Sequence, residues 1–405
     1  MNEPSASERA PRSLGRRVVL SVVAVVVAVA LVATRPWSSR NSFRQMRLFA
    51  PGARVENFRE MEEIFPARTV HRGPTPHRFE VRQRALPATF SFDGRSVRLD
   101  EFLDRTVTTG LLVLSGNTIL AERYFRGATA ATPMTSWSVA KSVVSLLIGI
   151  ARSEHRMNDL TAPLSGFVPG FGGAAYGRVS LRDALTMSSG IDFNEDYDDP
   201  LSDIHTMFAR ILYFRESAAH YLASRDSAVP PGSRFHYASA DSFALGLALR
   251  GAVGKPLNEY LEEKLWKPLG MEYDASWNTE SDSGAELAFC CLNVRLRDYA
   301  KLGRLAARRG DWDGQRLVPE DWILESTRIE PKRAPGALHG HPWGYGYQWW
   351  IPGRSGAFMA AGVWGQFIYV DPAHELVIVK TSVDPEFMPH SDETVALFEA
   401  IRDGI

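Results

Sequence analysis

Ser138 and Lys141 stand three residues apart in the stretch Met134-Thr135-Ser136-Trp137-Ser138-Val139-Ala140-Lys141-Ser142, which runs on as Val143-Val144-Ser145-Leu146-Leu147-Ile148-Gly149-Ile150. The pattern is that of a loop entering a buried helix, small and polar first, then apolar on nearly every face. A spacing of three puts both side chains on one face, one turn apart. Ser138 falls in the first turn, where free backbone N–H groups favour developing negative charge. A lysine among apolar neighbours loses hydration and its pKa falls. The amine can then take the proton of a serine hydroxyl. One helical turn thus carries a nucleophile and its base. Of the seven lysines (141, 255, 264, 267, 301, 332 and 380), only Lys141 has a serine three residues before it. The competing reading is structural, with Ser138 as a helix cap and Lys141 extending to solvent.

Three other stretches carry chemistry. Pro230-Pro231-Gly232-Ser233-Arg234-Phe235-His236-Tyr237-Ala238-Ser239 leads into a helix over 241–250. Tyr237 there is either packing or a phenol that loses its proton beside proton-sharing groups and acts as a base. The segment around Met187-Ser188-Ser189-Gly190 reads as a helix ending at Gly190. The acidic loop after it, Asn194-Glu195-Asp196-Tyr197-Asp198-Asp199-Pro200, is either solvated or a cleft wall that meets an amine-bearing substrate. Gly362-Val363-Trp364-Gly365-Gln366 leads into a strand, and glycines there let a substrate approach closely. A backbone N–H in this segment, paired with that of Ser138, could form an oxyanion hole.

Other chemistries find no support. There is no C-x-x-C, H-E-x-x-H or G-x-x-x-x-G-K-[ST], no G-x-S-x-G elbow, and no ligand spacing among the histidines, so neither a metal nor a cofactor is expected. The adjacent Cys290 and Cys291 read as small buried apolar residues, since a bridge between neighbours is strained.

These residues need a scaffold. With 405 residues, 45% of them hydrophobic, and a formal net charge of −1, the chain is long enough for one large domain or two interleaved ones and gives no hint of a nucleic-acid partner. Residues 1–17 are polar with four arginines, and Val18 to Ala33 is apolar except for Ser21. Segment 18–34 is expected to be an uncleaved inner-membrane anchor behind a cytoplasmic tail (1–17), or a signal peptide cut near Ala28-Val29-Ala30. Either way the catalytic domain lies on the periplasmic side or is secreted. Residues 35–77 read as a tether, and the folded domain as 78–405. Within it Leu99–Arg105 is an amphipathic helix, and Thr108–Leu114 with Thr118–Tyr124 is a hairpin about Ser115-Gly116-Asn117. Gln366–Val370 and Leu376–Thr381 form a second hairpin, and Glu393–Ile401 closes the chain as a helix. Strands at both ends and helices between predict an α/β (α+β) fold, an antiparallel sheet from both termini with a helical lobe inserted and a cleft between.

The order of these pieces resembles the serine β-lactamase and penicillin-binding-protein superfamily: Ser-x-x-Lys, then Tyr-x-Ser about a hundred residues on, then a Gly-bounded tripeptide before a late strand. Class C β-lactamases, related esterases and 6-aminohexanoate-dimer hydrolases are the most similar branches. Met187-Ser188-Ser189-Gly190 and Arg297-Asp298-Tyr299-Ala300-Lys301-Leu302-Gly303 resemble that group's flanking segments, and the likeness covers roughly 78–403. It implies Ser138 as nucleophile, Lys141 and Tyr237 as its proton-handling partners, and a β-lactamase/transpeptidase-like fold. It places Ser239 where the family has Asn, and Val363-Trp364-Gly365 where it has Lys-Thr-Gly or His-x-Gly. The cation that would hold a β-lactam or D-Ala carboxylate is absent from that tripeptide, which favours a small-molecule ester or small amide as substrate. Gln366 is expected to supply the second oxyanion amide beside Gly365 and Trp364. The resemblance also implies substrate contacts at Tyr197 and Asn293. The alternatives are a D,D-peptidase or β-lactamase, or a tethered protein that binds cell-wall peptides without turnover.

Overall fold

Leu111, Leu112, Val113 and Leu114 form a run with no polar break, and all four are buried. Side chains alternate across a strand, so an unbroken apolar run means that both faces of the sheet are covered. In the computed structural model, which describes residues 42–329, 343–353 and 355–405, this strand, Thr108–Ser115, lies inside an eight-stranded sheet. Leu112 and Leu114 pack with Ile368, Val370, Val377 and Val379 in one core cluster. Leu111 and Val113 pack with Phe367, Tyr369 and Ile378 in the other. The helix Leu296–Ala307 covers the first face: Gly303 lies so near that a Cβ there would come within 2.4 Å of Val377. The C-terminal helix Ser391–Asp403 covers the second, with the Phe398 ring 5.8 Å from Phe367 and 5.4 Å from Tyr369.

The predicted hairpins are present, Thr108–Ser115 with Thr118–Tyr124 and Gln366–Asp371 with Leu376–Ser382. They join into one sheet because Leu376–Ser382 pairs antiparallel with Thr108–Ser115, Val377 opposite Leu114 and Lys380 opposite Leu111. The sheet is therefore closed from both ends of the chain, as expected. The only parallel pair among its described strands is Glu80–Val81 against Thr118–Tyr124.

Between the hairpins lies a helical lobe built on two buried helices, Val139–Ser153 and Ser239–Val253. Gln348 ties them together: its carbonyl accepts from Ser142 Oγ at 2.6 Å and its Oε1 from Ser242 Oγ at 2.5 Å. The lobe also contains a four-stranded sheet in the order Ala67–Val70, Ala275–Asn278, Leu292–Val294, Met134–Thr135.

That small sheet corrects the tether expected over 35–77. Ala67–Val70 is its edge strand, in register from Ala67 opposite Asn278 to Val70 opposite Ala275. Leu48, Phe58, Met61, Ile64 and Phe65 are buried with the main core. Their apolar positions, scattered among arginines and prolines, show no period over four short elements, so the pattern reads as linker although these side chains are core. Two compact units divide the chain at Met46 and Arg47. Of the first, only the short helix Ser42–Met46 is among the described residues. The expected anchor, 18–34, lies outside them. No helix among the described residues is long and apolar enough to cross a membrane.

Two smaller expectations are also corrected. The helix expected to end at Gly190 is Leu181–Leu185, capped by Ser180 Oγ accepting from the Asp183 amide. Gly190 instead makes a left-handed turn (φ +73°) so close to Val229 that a Cβ would meet its carbonyl at 2.2 Å. Cys290 and Cys291 are not free apolar residues but are joined as a disulfide between neighbours.

Candidate active site

The strand Met134–Thr135 delivers Ser138 to the start of its helix. Ser136 continues the strand's pairing: its amide donates to Leu292 O at 2.8 Å, and its hydroxyl accepts from Leu292 N at 3.0 Å. Trp137 then turns left-handed (φ +43°), a conformation a tryptophan adopts only where its surroundings enforce it. The next residue is Ser138, the N-cap of Val139–Ser153. Its amide has no hydrogen-bond acceptor among the described residues. One turn on, Lys141 is almost completely buried (1% exposed), so it does not extend to solvent. Its Nζ donates to Ser138 Oγ at 2.7 Å, Ser239 Oγ at 3.0 Å and Phe289 O at 3.2 Å. Burial pushes its pKa down to about 8, against the opposing pull of Glu195.

Tyr237 completes the cluster. It lies two residues before the helix Ser239–Val253, its side chain shares a cavity wall with Ser138, and its ring centre is 5.0 Å from Lys141 Nζ. Trp350 stacks on the ring at 5.3 Å and 24°. Hydroxyl, amine and phenol from distant parts of the chain therefore meet at one point. Burial first, and Glu195 second, raise the pKa of the phenol far above its ordinary value.

Glu195 is the functional residue that sequence reasoning did not single out. It is buried and fully bonded: Oε1 accepts from Ser239 Oγ at 2.6 Å and Tyr197 OH at 2.7 Å, and Oε2 from the Ser239 amide at 2.8 Å. That amide is one of the unpaired donors at a helix N-terminus, where a carboxylate is favoured. In sequence Glu195 is one of four acids in the run 194–199. Only its alternation with Tyr197 and its place in space set it apart.

The other expected contacts divide. Ser239 and Tyr197 join the cluster, and Trp364 lines a cavity that reaches Ser138. Gln366 and Gly365 do not. Gln366 pairs across the ladder with Gly362, and its side chain donates to Ser382 O at 2.6 Å. Gly365, in a left-handed turn (φ +83°), faces Ser382 and Lys380. The residue packed on the nucleophile is Gly362, whose Cβ, if it had one, would stand 2.7 Å from Ser136 O and 3.0 Å from Ser138 N. The expected tripeptide is thus the hairpin turn between Phe358–Gly362 and Gln366–Asp371, one step late for a strand edge beside Ser138. Asn293 is not in the site either: its Nδ2 donates to Ser276 Oγ and Asn278 Oδ1, both at 3.0 Å, within the small sheet.

Two cavities open at Ser138. One of about 60 Å³ is lined by Tyr237, Trp350, Gly362 and Val363. The other, of about 320 Å³, is lined by aromatic rings together with Ser239 and Val363.

Residues 98–400 match the family model described as Beta-lactamase, about three quarters of the chain. The chain belongs to the beta-lactamase family. Within it, a 6-aminohexanoate-dimer hydrolase of Paenarthrobacter ureafaciens is 29% identical over 351 residues, covering 81% of this chain and 85% of that protein. A solved structure provisionally assigned as a 6-aminohexanoate-dimer hydrolase of Bacillus anthracis superposes with a TM-score of 0.81 at 24% identity, covering 91% of this chain and 98% of that one. A family VIII carboxylesterase superposes at 0.58 and 18% identity, over 76% of this chain and 96% of that one. At those identities the two structures speak for the fold alone. This beta-lactamase-family member is a serine hydrolase of the β-lactamase/transpeptidase-like fold.

Proposed function

We propose that the chain hydrolyses an uncharged ester or small amide through an acyl-enzyme on Ser138. The observation that carries this reading is the distribution of protons around Lys141. Its ammonium has three protons and three acceptors, Ser138, Ser239 and Phe289 O. When it loses one proton, a lone pair must face one of them. Phe289 O has no proton to give, and the Ser239 proton is committed to Glu195. Only the Ser138 hydroxyl remains, so the amine is directed at the nucleophile.

Ser138 Oγ attacks the carbonyl as its proton passes to Lys141. The oxyanion is held by the amides of Ser138 and Val363, the second taking the role expected of Gln366. The bond to the leaving group then breaks, and Tyr237 passes the leaving group a proton that Lys141 replaces. Water enters by the same relay in reverse and releases the acid. An ester or amide lacking a carboxylate is favoured because neither cavity is lined by arginine, or by any lysine, among the described residues. The names of the relatives add 6-aminohexanoate oligomers to the substrates worth testing.

The apolar run 18–34 supports anchoring in the inner membrane with this domain on the periplasmic side. Ser138→Ala should abolish both turnover of a p-nitrophenyl ester and labelling by a fluorophosphonate. Undiminished labelling would remove Ser138 from the mechanism. A stoichiometric burst without steady release would instead favour a binding protein.

A further inference from the structure

The larger cavity holds more aromatic surface than catalysis requires. Phe49, Trp137, Phe208, Phe289, Trp364 and Phe387 all line it. Phe49 stacks on Trp137 at 5.9 Å and 29° and on Trp364 at 5.8 Å and 11°. Its edge neighbours are Phe208 at 6.1 Å and Phe58 at 6.3 Å. The nearest cation among the described residues is Lys141, whose three protons are taken by Ser138, Ser239 and Phe289 O; it does not line the cavity, and neither does Arg54, which lies over the Trp364 ring at 4.7 Å. The ionisable groups that do are Asp198, which is exposed, and the half-buried His205.

We infer that this cavity is the acyl pocket and that it selects uncharged apolar acyl groups, medium-chain or aryl. The inference rests on Ser138 being the nucleophile. The assignment of sides follows from Tyr237, which lines the small cavity but not the large one. The leaving group must lie where Tyr237 can protonate it, so it occupies the small cavity. The acyl chain, on the opposite side of the scissile bond, enters the aromatic one. An acyl chain ending in a carboxylate would lose its hydration there without gaining an arginine or lysine from the described lining, and would meet Asp198. Phe49 is the specificity-determining residue this adds. It lies before the span matched by the family model, in the segment that reads as a tether.

The test uses the full chain and p-nitrophenyl esters of acetate, butyrate, hexanoate and phenylacetate, with mono-p-nitrophenyl adipate as the carboxylate-ended counterpart of hexanoate. Burial of each added methylene should raise kcat/KM by about fourfold up to hexanoate. Hexanoate should exceed the adipate monoester by about tenfold or more, given the cost of an unpaired buried carboxylate. Phe49→Ala and Phe208→Ala should each cut the hexanoate-to-acetate ratio by about fivefold or more. Fluorophosphonate labelling of Ser138 reports whether each variant is folded. If Phe208→Ala does not label, Phe49→Ser, which alters a partly exposed ring, decides. A wild-type enzyme that labels at Ser138 but shows a flat acyl series, or prefers the adipate monoester, overturns the acyl pocket and leaves the nucleophile standing. A wild type that neither labels nor turns over overturns the nucleophile itself.

Discussion

Glu195 reaches Lys141 through a single hydroxyl, that of Ser239, which accepts from Lys141 Nζ at 3.0 Å and donates to Glu195 Oε1 at 2.6 Å. The carboxylate does two things through this link. It fixes the direction of the Ser239 proton, and its charge holds up the pKa of an amine that burial pushes down. Glu195 is a positioning residue with an electrostatic signature. Glu195→Gln removes the charge, so the Lys141 pKa should fall further. The rising limb of kcat/KM against pH should move to lower pH, while a merely structural loss would lower the curve without moving it.

The wild-type limb has a sign of its own. In the proposed mechanism Lys141 acts as base when neutral, and burial lowers its pKa to about 8, so kcat/KM should rise as pH passes through 8 and level off above it. A profile already flat from about pH 6 upward, near the ordinary histidine range, would assign the base to another group. Lys141→Ala should cost about a hundredfold or more and erase the limb.

Tyr237→Phe keeps the ring that stacks on Trp350 and removes the hydroxyl beside Ser138. In the proposed mechanism this phenol protonates the leaving group, so the loss should be greatest for poor leaving groups, about a hundredfold for an alkyl ester or amide. It should be smaller for p-nitrophenol, which leaves without a proton. Equal losses for both would deny Tyr237 the donor role.

Phe58 tests whether the segment after residue 46 belongs to the domain. It is fully buried, and its carbonyl accepts from the Thr135 amide at 3.0 Å, three residues before the nucleophile. Phe58→Ala should lower stability by about 3–5 kcal/mol, the range for a buried ring cut to a methyl group. A thermal midpoint within a degree or so of wild type would return this segment to the role of a linker.

Asp241 offers a separate test on stability. It is buried behind the site, with Tyr176 OH donating to its Oδ1 at 2.8 Å, and burial raises its pKa to about 7. A carboxyl that holds its proton more tightly folded than unfolded contributes stability below its unfolded pKa, and this is lost as pH rises through the folded value. Thermal stability should therefore fall from about pH 4, the unfolded carboxyl value, to about pH 7 and level off above it, and Asp241→Asn, which cannot ionise, should flatten that fall.

What was legible in the sequence follows from how local each signal is. Ser138 and Lys141 are one helical turn apart, and the two hairpins carry their own turns, so each could be read from a short window. Tyr237 was found through the order of motifs, because nothing in its neighbourhood shows that it meets Ser138 almost a hundred residues away. Glu195 was hidden among similar acids, since the feature that sets it apart, burial at the N-terminus of the helix Ser239–Val253, is tertiary. Gln366 was misplaced because a hairpin's turn and the end of its first strand look alike in sequence, and only the close packing of Gly362 on Ser138 N tells them apart. The segment 47–77 was taken for a linker because its burial comes from irregular pieces with no period to detect.

The seam between Leu376–Ser382 and Thr108–Ser115 sets the order of events during biosynthesis. A ribosome releasing this chain makes Thr108–Ser115 long before Leu376–Ser382, the strand that completes the sheet. Gly362, which packs against the nucleophile, also arrives late. Until then the strand Thr108–Ser115, paired on one side with Thr118–Tyr124, has its other edge open to other chains, and non-local pairing of this kind closes slowly. The hydrolase is thus inert while nascent, and its interval of greatest aggregation risk falls between synthesis of residue 115 and closure of the seam.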